Sequence, residues 1–184
     1  MPESNPGSGA GPAGEKLQGL LPLDDFYHFG VVVNDLDAAM AEWSAVHGMQ
    51  WAAPQHRQFL VRQPNGVVQA DFRFTYSIDG PPHIEFITGT PGTVWDPCTA
   101  GGVHHLGYWS HDLVADAQRL ASGGFEPLAS YDAPDGRPLG FTYHWLPATG
   151  LRVELVDAAR RQAFLDWLAG ADFPAATDPG GMSG

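Results

Sequence analysis

Two histidines in equivalent settings are the residues of this chain best suited to chemistry. His28 and His105 each lie near the start of an apolar stretch, and each is followed two residues later by a glycine, Gly30 and Gly107. Both pairs are 77 positions apart (105−28 and 107−30), which indicates an internal duplication. Duplicated supersecondary units usually form one symmetric body, so we expect the two imidazoles to meet across a pseudo-twofold axis. Paired imidazoles of this kind indicate a metal site.

Each histidine has a companion glutamate in a later apolar strand. Glu85 follows His28 by 57 residues and Glu154 follows His105 by 49. A carboxylate in an apolar strand must be paired, ligated or neutral. Two neutral imidazoles and two carboxylates would balance a dication and, in six-coordination, would leave two adjacent positions for a substrate.

Composition disfavours several classes of partner. The 184 residues include 21 acidic and 9 basic side chains, a formal net charge of −12, and no run of Lys or Arg. We therefore expect neither nucleic acid nor a membrane surface as a partner, and no segment has the length of a membrane span. Cys98 is a single cysteine and the first residues lack the apolar stretch of a signal peptide, so the expected location is cytoplasmic.

Hydrophobic periodicity predicts a β-α-β-β-β module over residues 20–90. Its helix is expected to be capped by Asn34 or Asp35 and to end at Gly48. Asn65, before a glycine, marks a hairpin turn. The predicted strands cover residues 26–33, 58–63, 67–77 and 83–88.

The same order then begins again. A connector over residues 91–102, rich in Gly and Pro, leads to a second module over 103–157, and a closing helix over 158–171 is expected to cover a sheet face or an interface. Residues 1–19 and 172–184 are predicted to be disordered tails. The second module has a predicted helix over 112–122 and strands over 103–109, 125–131, 140–146 and 151–157. The predicted fold class is α+β, with two tandem modules.

This arrangement resembles the vicinal oxygen chelate superfamily, which includes glyoxalase I, methylmalonyl-CoA epimerase, extradiol dioxygenases and bleomycin or fosfomycin resistance proteins. The resemblance covers roughly residues 26–157. It implies two βαβββ modules that form an open barrel with a divalent metal in its cleft. The implied ligands come from the first and last strand of each module: His28, Glu85, His105 and Glu154. Ni, Co, Zn, Fe or Mn would fit these mixed nitrogen and oxygen ligands.

The resemblance also implies a reaction class. A lyase, isomerase or epimerase of this kind chelates a small carbonyl substrate and stabilises the enolate that forms when a proton leaves, with Glu154 or Glu85 as the base. The ligand set resembles that of glyoxalase I, whereas residues 84–103 are more similar to the epimerase branch. That branch usually carries a catalytic glutamate where this chain has Pro64, and the arginines are scattered rather than clustered as the phosphates of CoA would require.

Two other functions stay open at this point. An iron-dependent dioxygenase of the same fold needs only two histidines and one carboxylate, so Glu85 would be superfluous. A metal-free drug-binding or resistance protein would suit the acidic surface and the six tryptophans. A homodimer with a site between two chains also stays open.

Further side chains are candidates for a substrate pocket. His83 shares a strand face with Glu85 by alternation. In the penultimate strand, either His144 or Trp145 must face the cleft. His104 is expected to point away from the face of His105. The pocket candidates are His83, Trp109, Tyr143 and His144.

Overall fold

The computed structural model describes residues 17–99 and 101–173 of the chain. Its strands are β1 Phe26–Val33, β2 Gln55–Gln63, β3 Gly66–Tyr76, β4 His83–Thr88, β5 His105–Ser110, β6 Pro127–Asp132, β7 Pro138–Leu146 and β8 Leu151–Asp157. Its helices are α1 Leu36–His47, α2 Leu113–Ser122 and α3 Arg161–Leu168. Short 3-10 turns cover Leu23–Asp25, Pro97–Thr99 and Ala158–Arg160. Within these residues, no helix is long and apolar enough to cross a lipid bilayer.

The two modules begin in the same way because an aspartate at the equivalent position caps the helix of each module. Asp35 accepts a hydrogen bond from the backbone N–H of Ala38 at the start of α1, and Asp112 accepts one from Ala115 at the start of α2, each at 3.0 Å. A side-chain acceptor at this position satisfies an N–H that has no partner within the helix. The chain leaves α1 through Gly48, whose φ of 69° lies in the left-handed region.

The eight strands close into one barrel in the order β1-β4-β3-β2-β6-β7-β8-β5. Each module contributes four adjacent strands, with its first and last strands parallel and its other pairs antiparallel. The predicted α+β class with tandem modules is confirmed, but the barrel is closed where an open one was expected. The two modules meet at β1 with β5 and at β2 with β6. The β2–β6 contact pairs Arg62 with Ser130 and is reinforced by the ion pair of Arg62 with Asp132.

Apolar side chains form two cores. The larger core fills the barrel with aromatic residues and extends to Phe164 and Trp167 of α3. The smaller core lies outside the barrel, where Leu113 and Leu120 of α2 pack against Val153 and Leu155 of β8. Burial of these faces is the main stabilising contribution to the fold.

The ends of the described chain extend further than the predicted tail boundaries. Leu17 lies against Gly123 at the end of α2, although residues 1–19 were assigned to a tail. Phe173 contacts Phe74 and Trp167, with ring centroids 5.4 and 4.9 Å apart, although the second tail was expected to start at residue 172. The rest of both predicted tails lies outside the described residues.

Candidate metal centre

The strand register places two histidines and two glutamates at one level of the barrel. Along one row, Glu85 of β4 is opposite Gly30 of β1, and Gly30 is opposite His105 of β5. Along the other row, Glu154 of β8 is opposite Gly107 of β5, and Gly107 is opposite His28 of β1. In each row a glycine therefore separates a glutamate of one strand from a histidine of another.

The glycines are required because each one lies beneath the histidine of the other module. A Cβ atom on Gly30 would lie 1.8 Å from Cε1 of His105, and a Cβ atom on Gly107 would lie 1.8 Å from Cε1 of His28. No side chain fits at that distance, so each imidazole packs directly on the backbone of a glycine in the neighbouring strand. The glycines that the sequence repeats thus make room for the partner module's ligand.

The four side chains direct one donor atom each to a common point. The Nε2 atoms of His28 and His105 are 2.9 Å apart. Oε2 of Glu85 lies 3.5 Å from Nε2 of His28 and 3.0 Å from Nε2 of His105. Oε2 of Glu154 lies 3.2 and 3.5 Å from the same two atoms. All four donors lie within 4.8 Å of one another.

These separations fit the coordination sphere of a single cation. With metal–ligand bonds of about 2.1 Å, donors at right angles are about 3.0 Å apart and tetrahedral donors about 3.4 Å apart. His28 and His105 are fully buried, and Glu85 and Glu154 are only 6% and 7% exposed. Within the described residues, neither glutamate Oε2 has a hydrogen-bond partner, and buried carboxylate oxygens normally have one. The donor set, complete within one chain, therefore suits a divalent metal.

The electrostatics of the cluster favour a positive charge at its centre. Burial would lower the pKa of His28, but the two carboxylates, Glu154 and Glu85, raise it to about 9. Burial would raise the pKa of Glu85, but His105 and His28 hold it well below its usual range. The same attraction would hold a dication more strongly.

His104 fixes the orientation of His105 from behind. Its Nε2 lies 2.9 Å from the carbonyl oxygen of Val94, which only accepts, so Nε2 carries the proton. Burial and then the neighbouring His105 lower the pKa of His104 to about 3, so the ring is neutral. Its Nδ1 lies 3.0 Å from Nδ1 of His105 and must accept from it. The lone pair of His105 is thereby left on Nε2, where a metal would bind.

Three buried tyrosines surround the two carboxylates. Tyr76 is opposite Glu85 in the β3–β4 register, and Tyr143 is opposite Glu154 in the β7–β8 register. Burial, followed by the charges of Glu154 and Glu85, raises the pKa of Tyr27 and of Tyr143; burial and then Glu85 raise that of Tyr76. All three hydroxyls therefore stay protonated and can donate hydrogen bonds to an oxyanion.

A cavity of about 180 Å³ inside the barrel reaches the two carboxylates. Trp109 and Tyr143, two of the predicted pocket residues, line it together with both glutamates. The hydroxyl of Tyr143 accepts a hydrogen bond from Nε1 of Trp95 at 3.2 Å and lies 3.5 Å from Nε2 of His105. A ligand in this cavity would touch the donor cluster directly.

The other two pocket candidates do not line the cavity. Nδ1 of His83 hydrogen-bonds to the carbonyl of Ser77 at 2.9 Å, and its ring packs edge-on against Phe164. His144 bonds through Nδ1 to the carbonyl of Phe125. It points away from the cavity because Tyr143, its neighbour in β7, points in. The prediction that His83 and His144 contact substrate is therefore not supported by their positions.

Sequence reasoning missed several cavity residues, of which Tyr27 is the most instructive. The register between β1 and β5 shifts between Phe26 and His28, so strand alternation fails at this bulge. Tyr27 therefore shares the interior with His28 and stacks on Trp109 with ring centroids 3.9 Å apart. Phe164 and Arg57 also line the cavity; the inward alternation along β2 was the available signal for Arg57.

Fold and site together define a member of a known superfamily. The model of the Glyoxalase/Bleomycin resistance protein/Dioxygenase superfamily matches residues 27–143, and the chain belongs to that superfamily. The resemblance identified from the sequence is thus confirmed.

Similar proteins are epimerases of CoA thioesters. The chain is 28% identical over 137 residues to an ethylmalonyl-CoA/methylmalonyl-CoA epimerase of Cereibacter sphaeroides, covering 70% of this chain and 93% of that protein. The methylmalonyl-CoA epimerase structure from Mycobacterium tuberculosis has a TM-score of 0.54 and 20% identity over 79% of this chain and 93% of that chain. A variant of the Streptomyces coelicolor enzyme with 2-nitronate-propionyl-CoA has a TM-score of 0.50 and 20% identity, covering 73% and 95%. The two structures show that the fold is shared.

Proposed function

We propose that this protein is a divalent-metal-dependent isomerase, epimerase or lyase that removes a proton from the carbon next to a carbonyl group. The observation that carries this proposal is the convergence of His28, Glu85, His105 and Glu154 beside a largely apolar cavity. The sequence relationship to an epimerase of ethylmalonyl-CoA and methylmalonyl-CoA supports the same reaction class.

The chain's own residues supply the parts that proton removal needs. A carboxylate, Glu85 or Glu154, borders the cavity and can accept the proton. Tyr143 and Tyr76, held protonated by burial, can donate to the oxygen on which negative charge develops. The largely apolar wall lowers the polarity of the surroundings, which strengthens both interactions. A bound divalent ion would act as a Lewis acid on the carbonyl oxygens of the substrate.

The ligand geometry favours this reaction class over the alternatives. Iron-dependent oxygenases use two histidines and one carboxylate and leave the remaining positions open. Here Glu85 and Glu154 are equally close to the two imidazoles, at 3.0 to 3.5 Å. A protein that only binds a drug has no need for two carboxylates buried against two imidazoles, because charged groups are costly to bury.

Metal analysis of the purified protein tests the proposal. After incubation with Ni, Co, Zn, Mn or Fe(II) and desalting, we expect one tightly bound ion per chain, with no consumption of oxygen. His105→Ala should lose the ion, and Glu85→Gln should bind it more weakly. His111→Ala is the matched control, because His111 is an exposed histidine paired with Asp25. A wild-type protein that binds none of these ions at saturating supply would refute the proposal.

A further inference from the structure

The cavity wall beyond the metal centre is built from aromatic rings. Tyr27 and Trp109 stack at one side, and Phe74 and Phe141 extend the wall away from the carboxylates. The volume of about 180 Å³ compares with roughly 150 Å³ for an apolar protein cavity that binds benzene. The space suits one flat ring with a small polar group at each end.

The strand register gives the direction and length of this space. On β3, the inward residues Tyr76, Phe74 and Phe72 follow one another, with Tyr76 opposite Glu85 and Phe72 opposite Arg57. Four residues of strand span about 13 Å. The backbone of Arg57 therefore lies one inward row beyond Phe74 and two inward rows beyond Tyr76.

Two arginines line the end of the cavity away from the carboxylates. Arg57 comes from β2 in the first module and Arg160 from the turn after β8 in the second. Both are half-buried, and within the described part of the chain neither forms an ion pair with a carboxylate, although Arg62 and Arg73 do. In a chain with a net charge of −12, two cations without carboxylate partners at one cavity indicate an anionic ligand.

Phe164 of α3 and Phe173 lie at the cavity and leave little room there for a coenzyme A group. Phe164 of α3 packs on Tyr27 and Tyr76 with centroids 5.5 and 5.0 Å apart, so α3 covers this side of the cavity. Phe173 lies under Arg57, with the guanidinium carbon 4.8 Å from the ring centroid. An extended thioester arm would have to displace these contacts, whereas a ring-sized ligand would not.

We propose that the substrate is a small carbonyl compound with an aromatic body and an anionic group at the end away from the metal centre. This substrate class rests on the proposed function, which assigns the carbonyl end to the four ligands. The ring would lie between Trp109 and Phe74, and the anion would bind Arg57 and Arg160.

Calorimetric titration of the metal-loaded protein tests the substrate class with four probes: 4-carboxyphenylpyruvate, phenylpyruvate, pyruvate and methylmalonyl-CoA. Burial of the ring should make phenylpyruvate bind at least about tenfold more tightly than pyruvate. The second carboxylate should contribute about tenfold more through charge-assisted hydrogen bonds. Arg57→Gln/Arg160→Gln should remove that second gain, so that the variant binds the two aryl acids equally. Arg137→Gln, an exposed arginine paired with Asp135, should change neither.

Two results would overturn this substrate class. One is tighter binding of methylmalonyl-CoA than of phenylpyruvate, and the other is equal binding of the two aryl acids by the wild-type protein. Metal content measured on the same samples separates the two proposals. Aryl-acid selectivity in a protein that binds no metal would keep the substrate class and refute the metal-dependent function. Metal-loaded protein that prefers methylmalonyl-CoA would do the reverse.

Discussion

Substitution of Gly30 by alanine tests the reciprocal packing of glycine and histidine that builds the candidate metal centre. The new methyl group would lie 1.8 Å from Cε1 of His105, so the imidazole must move by about 1.6 Å to reach an ordinary contact of 3.4 Å. Metal–ligand distances tolerate about 0.2 Å. One of the four ligands is therefore lost, and we expect metal affinity to fall by more than about 100-fold, beyond the 10- to 100-fold typical of changes around a ligand.

The assay is competition of a chelator for the metal, with inductively coupled plasma mass spectrometry to count bound ions. Gly107→Ala should have the same effect through His28, because the repeat makes the two contacts equivalent. Gly150→Ala is the control: its φ of 69° makes alanine strained by about 1 kcal/mol, yet its nearest neighbour is 3.8 Å from the added Cβ. That variant should lose stability and keep its metal. If Gly30→Ala bound metal with wild-type affinity, the reasoning from the register would be refuted.

Two further predictions concern the groups next to the ligands. His104→Phe removes the acceptor for Nδ1–H of His105 and should weaken metal binding by about 10- to 100-fold; His104→Asn, whose amide oxygen can accept, should recover part of it, as measured by the same competition. In the metal-free protein, the pKa of His28 is about 9 in the folded state against 6.5 in the unfolded chain. Protonation of His28 therefore adds about 3 kcal/mol to the free energy of unfolding. This stabilisation is present below pH 6.5 and is lost as the pH rises to about 9. Urea denaturation with EDTA should show this loss in the wild type and not in His28→Gln; equal pH profiles would contradict it.

Much of this fold could be predicted because the duplication preserves local signals in both modules. Asp35 and Asp112, at the shared offset of 77, cap both helices, and the strand of residues 83–88 was predicted with the bounds that the structure has. Repetition and strand alternation also identified the four candidate ligands, although His28 lies next to the bulge in β1. The structure brings their donor atoms together within 4.8 Å.

The rest depended on contacts between distant segments. The bulge that turns Tyr27 inward is a property of the β1–β5 pairing, and no residue pattern in β1 alone marks it. The orientation of His144 follows from the register of β7 with β8, which the turn length did not determine. Arg57 and Arg160 lie in different modules, so only closure of the barrel makes them part of one cavity.

The duplication explains where the ligands lie, and departures from it explain how the two halves of the site come to differ. The repeat partner of His104 is Tyr27, 77 residues earlier. In the second module this position orients His105 from behind, whereas in the first it contributes a ring to the cavity. His28 consequently has no hydrogen-bond partner on Nδ1 within the described residues. A symmetric scaffold thus holds the candidate ligands, while its asymmetric neighbours give one histidine a hydrogen-bond partner and give the cavity its stacked wall. In the proposed reaction, such a difference would let one carboxylate accept a proton while the other stays a ligand.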